Sequence, residues 1–145
     1  MSVKPETNLV RGIHKYTKPY SMKNNNPYVA GIADCWYSGV EADLWVEYKY
    51  LTISRPNIIV IPKLSEQQKE WIEQRRLEGR EVWVVIGYKL GVVLYKKWND
   101  MVQGLSPDEF IKRTMTRKEL ADEINSYCGP SRRIYDREQE LQRCN

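Results

Sequence analysis

Histidine is almost missing from this chain: His14 is the only one in 145 residues. A lone imidazole leaves no Ser–His pair for nucleophilic catalysis and no His-rich metal site. Its setting among helical-spaced residues places His14 on a helix surface. Cysteine is scarce too. Cys35, Cys128 and Cys144 are odd in number and far apart, which excludes a short-spaced zinc pair and an even disulfide framework. The corresponding expectation is a reducing, cytoplasmic setting. No apolar run is long enough to span a bilayer, the N-terminus does not read as a signal peptide, and no membrane partner is expected. No internal repeat is visible. Phenylalanine occurs once, against ten Tyr and five Trp. Rings with a polar edge suit a surface that meets ligands and suit a tyrosine-rich core equally well, and both readings stand at this point.

The length fits one domain with a real hydrophobic core. Apolar residues make up 41% and charged residues 29%, ordinary values for a globular chain. The net charge is +4, and residues 1–63 hold eight Lys/Arg against five Asp/Glu. A mildly basic surface permits a polyanionic partner without requiring one.

Local patterns give an alternation of helices and strands. Pro5-Glu6-Thr7 opens a helical spacing of Leu9, Val10, Ile13 and Tyr16, with Pro5 at a first helical position and Glu6 at the positive end of the helix dipole. Pro19 ends that stretch. Residues 21–27 read as a polar turn or loop, where Lys23 and the Asn24–Asn26 run are able to donate hydrogen bonds to phosphates or simply be solvated. Pro56 and Pro62 bracket the β-branched run Ile58–Ile61, a short edge strand or an extended connection. Ser65 is an N-cap with Gln68 three positions on, the pattern of a capping box, and Gly79 closes the helix that follows. Residues 81–87 and 92–95 make a hairpin across Tyr88–Gly91. Ser106-Pro107 and Thr116-x-x-Glu119 start two further helices, the second ending near Gly129-Pro130. After Ser131 the tail is densely charged: a frayed helix, an interaction arm or disorder.

The informative stretch is Gly31–Tyr50. It reads as two strands joined by a turn at Ser38-Gly39, with Asp34 on the first strand and Glu47 and Lys49 on the second. Residues two apart on a strand share a face, so Glu47 and Lys49 project together from an otherwise apolar segment. Desolvating an acid and an ammonium costs free energy unless a partner compensates. The plain alternative is an exposed pair on an edge strand, with Asp34 in a turn. Two carboxylates and a lysine converging on one point would instead suit a divalent cation and a scissile phosphate. Glu41 and Asp43 lie at the strand entry and read as solvated turn residues.

Taken in order, Gly31-Ile32-Ala33-Asp34, then Leu44-Trp45-Val46-Glu47-Tyr48-Lys49, then Leu64-Ser65-Glu66-Gln67-Gln68 through Gly79-Arg80-Glu81-Val82-Trp83 resemble the PD-(D/E)XK nuclease superfamily. Within it the blocks are similar to the virus-type replication–repair nuclease (VRR-NUC) family. A bare Glu-x-Lys is weak; the preceding Asp and the following Ser-x-x-Gln helix make the set more specific. Ala33 departs from the pattern, which usually has proline there.

The resemblance implies an α/β fold with a restriction-endonuclease-like core, a mixed β-sheet flanked by helices. Residues 1–105 would form that core, and 106–145 a short helical extension and charged tail. It further implies that Asp34, Glu47 and the Tyr48 backbone carbonyl are metal ligands, with Glu6 an additional acid beside the ion. Lys49 would orient the attacking water and offset charge, and Gln68 would support it. Lys23, Asn25 and Ser65 would meet DNA. Hard oxygen donors favour Mg²⁺ or Mn²⁺. The implied activity is cleavage of branched or Holliday-junction DNA by a homodimer, in virus replication, recombination or repair inside a host cell. The competing readings are a non-catalytic nucleic-acid-binding module on the same fold, and a virus-encoded interaction protein working through its tail.

Overall fold

A computed structural model describes residues 4–24 and 31–144. Its centre is a five-stranded sheet in the order β1 (Tyr20–Lys23), β2 (Cys35–Ser38), β3 (Asp43–Tyr50), β4 (Val82–Tyr88), β5 (Gly91–Tyr95). All pairs are antiparallel except β3–β4, which is parallel. A parallel pair cannot be closed by a tight turn, and the connection here carries helix α2 (Glu66–Leu77). The expected capping box is formed: the Ser65 hydroxyl accepts from the Gln68 backbone, and the Gln68 side chain accepts from the Ser65 backbone. Gly79 follows with φ 82° and ends the helix.

Alternation along the strands gives the sheet two buried faces. Leu44, Val46 and Tyr48 of β3, with Trp83 and Val85 of β4, pack against Leu9, Val10 and Ile13 of α1 (Pro5–His14) and Leu120, Ala121 and Ile124 of α5 (Arg117–Cys128). On the other face Val82, Val84, Ile86 and Tyr88 meet Ile72 of α2, Met101 of α3 (Trp98–Gln103) and Phe110 of α4 (Pro107–Lys112). The chain after residue 105 therefore divides physically. α5 supplies core residues, whereas α6 (Arg132–Cys144) buries none and is tied at its start by the Ser131 N–H to the Lys18 carbonyl (2.9 Å).

Several expectations need correction. The polar loop expected from residue 21 is in part a strand: Tyr20–Lys23 pairs with β2, an edge strand made by its partner rather than by its own propensity. Residues 25–27 of that loop lie outside the described residues. His14 is half-buried, its Nε2 2.7 Å from the Tyr37 hydroxyl. That hydroxyl lies 2.6 Å from Tyr48 Oη, so a polar chain crosses the apolar layer under α1. Burial, then the positive charge of Lys23, lowers the His14 pKa. α3 carries no sequence signal, because no side chain caps its N-terminus. Of the alternatives left open for the tail, a helix is the one present, over Arg132–Cys144.

The β2–β3 turn is built onto the end of α5. Val40 N–H donates to the Pro130 carbonyl (2.9 Å), and Glu41 and Ala42 N–H both donate to that of Cys128 (2.9 and 3.2 Å). Residue 39 faces those carbonyls so closely that a methyl group would overlap the oxygens of Cys128 and Gly129. Gly39→Ala is expected to cost roughly 1–3 kcal/mol, as overpacking against rigid backbone does. Urea denaturation would read this as a lowered midpoint, and an unchanged midpoint would mean the turn is not seated on α5.

Candidate metal and phosphodiester site

Glu47 lies on the middle strand and is only 2% exposed, which rules out the exposed edge pair. Asp34 stands one residue before β2 rather than in it. The register that sets Cys35 opposite Val46 brings it beside Glu47 and Tyr48. Its N–H donates to Glu47 Oε1 (3.2 Å), and its Oδ2 accepts from the Tyr48 N–H (3.0 Å). The two carboxylates therefore converge on one side of the sheet. Backbone N–H and C=O of one strand residue point to the same edge, so the Tyr48 carbonyl lies on the edge where Asp34 sits. Gly31, at φ 86°, brings the chain entering Asp34 against α2, where a Cβ would stand 2.6 Å from the Gln67 carbonyl.

α2 supplies the rest. Gln68 Nε2 donates to Glu47 Oε2 (3.0 Å), while Gln68 Oε1 accepts from Lys49 Nζ (3.3 Å) and from the Ser65 N–H (3.0 Å). Lys49 Nζ is also 3.6 Å from Glu47 Oε2 and remains 24% exposed. The capping box that starts the helix is thus the same set of bonds that aims Gln68 at the acid and the ammonium. Ser65 is held in this arrangement through its backbone and hydroxyl.

The electrostatics carry a cost. Burial, then the neighbouring Asp34 charge, raises the Glu47 pKa to about 8, against the opposing pull of Lys49. A cation between the two carboxylates would relieve this repulsion. Among the described residues no group of three His, Cys, Asp or Glu side chains is placed to hold an ion. Two carboxylates and a carbonyl are hard oxygen donors, which fit Mg²⁺ or Mn²⁺ with water or substrate oxygens completing the shell. Cys35 is no nucleophile: burial, then Asp34, pushes its thiol up to about 12.

The structure brings Asp34, Glu47, the Tyr48 backbone, Lys49, Gln68 and Ser65 together. Lys23 flanks them at the end of β1, opposite Cys35, and the adjoining Asn24 N–H donates to the Asp34 carbonyl (2.6 Å). Asn25 lies outside the described residues. Glu6 is exposed in the first turn of α1, one turn before Leu9, which packs on Gly87 beside Tyr50. That is the same end of the sheet, but among the described residues no hydrogen bond or ion pair joins Glu6 to the cluster. Glu41 and Asp43 are both exposed, Glu41 in the turn as expected but Asp43 as the first residue of β3, paired with Ser38. Sequence reasoning did not single out Trp36, Trp45, Trp71 and Arg75, which line a cleft of about 670 Å³ on the same face. The period-2 spacing of Trp36 from Asp34, and of Trp45 from Glu47, was the available signal.

No family model matches the sequence, and no curated protein matches it. Among solved structures it is similar to Hjc, a Holliday junction resolvase from the archaeal hyperthermophile Archaeoglobus fulgidus. The TM-score is 0.51 at 13% identity, and the match covers 80% of this chain and 99% of that one. The fold is therefore restriction-endonuclease-like, a mixed sheet flanked by helices with a helical C-terminal extension.

A carboxyl whose folded pKa is raised favours folding below its unfolded value and withdraws that contribution as the pH climbs toward about 8. Asp34→Asn keeps an acceptor for the Tyr48 N–H and removes the repulsion. In chelator it is expected to stabilise the chain by on the order of 1 kcal/mol at pH 8.5, and by less at pH 5. Chemical denaturation at the two pH values checks this; a variant destabilised at both would mean the carboxylates are not in conflict.

Proposed function

We propose that this chain is a Mg²⁺- or Mn²⁺-dependent endonuclease of the PD-(D/E)XK superfamily, of VRR-NUC type, that hydrolyses phosphodiester bonds in branched DNA such as Holliday junctions. The observation that carries the reading is the buried Glu47, hydrogen-bonded to the Asp34 backbone, to Gln68 and in ion-pair reach of Lys49. Such a set is costly to a fold and suited to a cation and a phosphate. The likeness to Hjc supports the choice of a structure-selective nuclease.

Asp34 and Glu47, with the Tyr48 carbonyl, would hold the ion. When bound, the ion supplies Lewis-acid polarisation of the phosphoryl oxygen and lowers the pKa of water at the site. Lys49, whose ammonium is directed by Gln68 Oε1, faces developing charge on the phosphate and orients the attacking water. Gln68 acts as a positioning residue: its amide fixes Lys49 and Glu47 at once. Glu6 is assigned an outer role reached through water. Lys23, Asn25 and Ser65 are assigned to the DNA backbone. Symmetric cleavage of a junction needs two sites, and a homodimer supplies them. The second reading is a binding module that keeps the fold without cutting, which the assembled set disfavours.

The test is a panel of end-labelled single strand, duplex, flap and four-way junction incubated with Mg²⁺ or Mn²⁺. Junction cleavage is expected, and Glu47→Ala or Lys49→Ala should lower its rate by on the order of 10²–10³-fold. Gln68→Ala should lower it by roughly 10–100-fold, the effect of losing a group that orients a ligand. Cleavage unchanged in Glu47→Ala would refute the site. Failure of the intact chain to cut any substrate would favour the binding module.

Ion binding is separable from turnover. Mn²⁺ should raise the thermal midpoint of the unsubstituted chain and leave that of Asp34→Asn almost unmoved. Equal shifts in both would place the ion elsewhere.

A further inference from the structure

One step along the strands from Asp34 and Glu47, the same face carries a row of aromatic rings that crosses from strand to strand. Opposed residues of an antiparallel pair project to one side, and the register sets Met22 opposite Trp36 and Trp36 opposite Trp45. These are the next positions on the same face after the two acids. Ring centroids lie 5.9 Å apart for Tyr20–Trp36, 6.2 Å for Trp36–Trp45 and 5.3 Å for Trp45–Trp71, the last reaching α2. At the edge strand the row is open, with Tyr20 55% and Met22 45% exposed.

The row leads into a strongly cationic cleft. Tyr20 also lines a cavity of about 580 Å³ whose charged groups are all positive: Lys18, Arg132, Arg133 and Arg137. Arg132 pairs with Asp136 at 3.1 Å, and among the described residues the other three make no ion pair. Arg132 further shares a recess with Trp36. From Asp34 to Ser38, which pairs with Tyr20, the distance along β2 is about 13 Å at ~3.3 Å per residue. Acids, rings and arginines thus lie along one track, with Asp43, Glu78 and Glu81 beside Trp36 and Trp45 set against Arg75 and Arg80.

We propose that this track binds single-stranded nucleic acid: unpaired bases leaving the Asp34–Glu47 site stack on Trp45, Trp36 and Tyr20, and the strand's phosphates enter the cationic cleft at the start of α6. The proposal rests on the nuclease reading of that site and narrows its substrate to branched DNA with unpaired nucleotides beside the scissile bond, as in a flap or a junction opened at its branch point. Rings that accept any base, beside a groove that tracks the backbone, are the two components of sequence-tolerant single-strand binding. The cleft's charge and the continuity with the carboxylates favour this occupant over a second copy of the chain.

Fluorescence anisotropy of the full chain in chelator, with labelled oligothymidylate and a blunt duplex of equal length, separates the outcomes. Tyr20→Ser and Trp36→Ala should each weaken oligothymidylate binding about tenfold and change duplex binding less than about twofold. Trp36→Phe, which keeps a ring and the packing under it, should retain most of the affinity. Arg133→Ala should flatten the salt dependence for the single strand by about 0.7 in log–log slope. Unchanged oligothymidylate binding in Tyr20→Ser and Trp36→Ala, or equal losses on both ligands, would overturn the proposal. So would a drop in sedimentation mass with oligonucleotide affinity intact, which would make the face a contact between copies. A chain that never cuts yet binds oligothymidylate through Tyr20 and Trp36 overturns the nuclease reading alone. A chain that cuts through Glu47, with oligothymidylate binding indifferent to both rings, overturns the platform alone.

Discussion

Placing a carboxylate on the middle strand of a sheet forces the surroundings to answer its desolvation. Here the answer to Glu47 comes from three directions: the Asp34 N–H, the Gln68 amide and the Lys49 ammonium. The remaining Asp34 carboxylate works against them, since it adds negative charge where burial already disfavours it. A fold selected for stability alone would have no use for that second acid. The arrangement suits the cation site proposed above, since the side chains that would hold an ion are already positioned by bonds that exist without one.

The architecture can be traced from that requirement. Asp34 must reach Glu47 from the neighbouring strand, so β2 and β3 pair in a fixed register, and the turn between them is locked onto α5 by Cys128 and Pro130. Gln68 must reach from the other side, so the parallel β3–β4 crossover carries α2 over that face and starts it at Ser65. Behind the site the Tyr48–Tyr37–His14 chain of polar contacts ties β3, β2 and α1 together. Burial pushes both phenols well above their usual range, so they act as neutral hydrogen-bonding groups.

Much of this was legible in the residues. Glu47-x-Lys49 on an apolar strand, the Ser65-x-x-Gln68 box and the Gly79 stop are short-range signals whose meaning does not depend on distant chain, and the structure has each element where they point. The edge strand Tyr20–Lys23 was not legible, because its four residues are ordered by pairing rather than by propensity. His14 read as exposed because its partner, Tyr37, is 23 positions away. Helix α3 lacked a cap to announce it. The abundance of Tyr and Trp left core and surface undecided, and the structure uses both: Tyr37, Tyr48 and Trp83 are buried, while Trp36, Trp45 and Trp71 stay partly open. Sequence counts the rings, but only the register decides which of them share a face with the acids.

The central claim, that Asp34 and Glu47 share one hard cation, is tested most directly by anomalous diffraction from crystals soaked in Mn²⁺. The account predicts a single strong peak bounded by the two carboxylates and the Tyr48 carbonyl, at oxygen–metal distances of about 2.0–2.3 Å. A peak bound only by other side chains, or none there at saturating Mn²⁺, would contradict it.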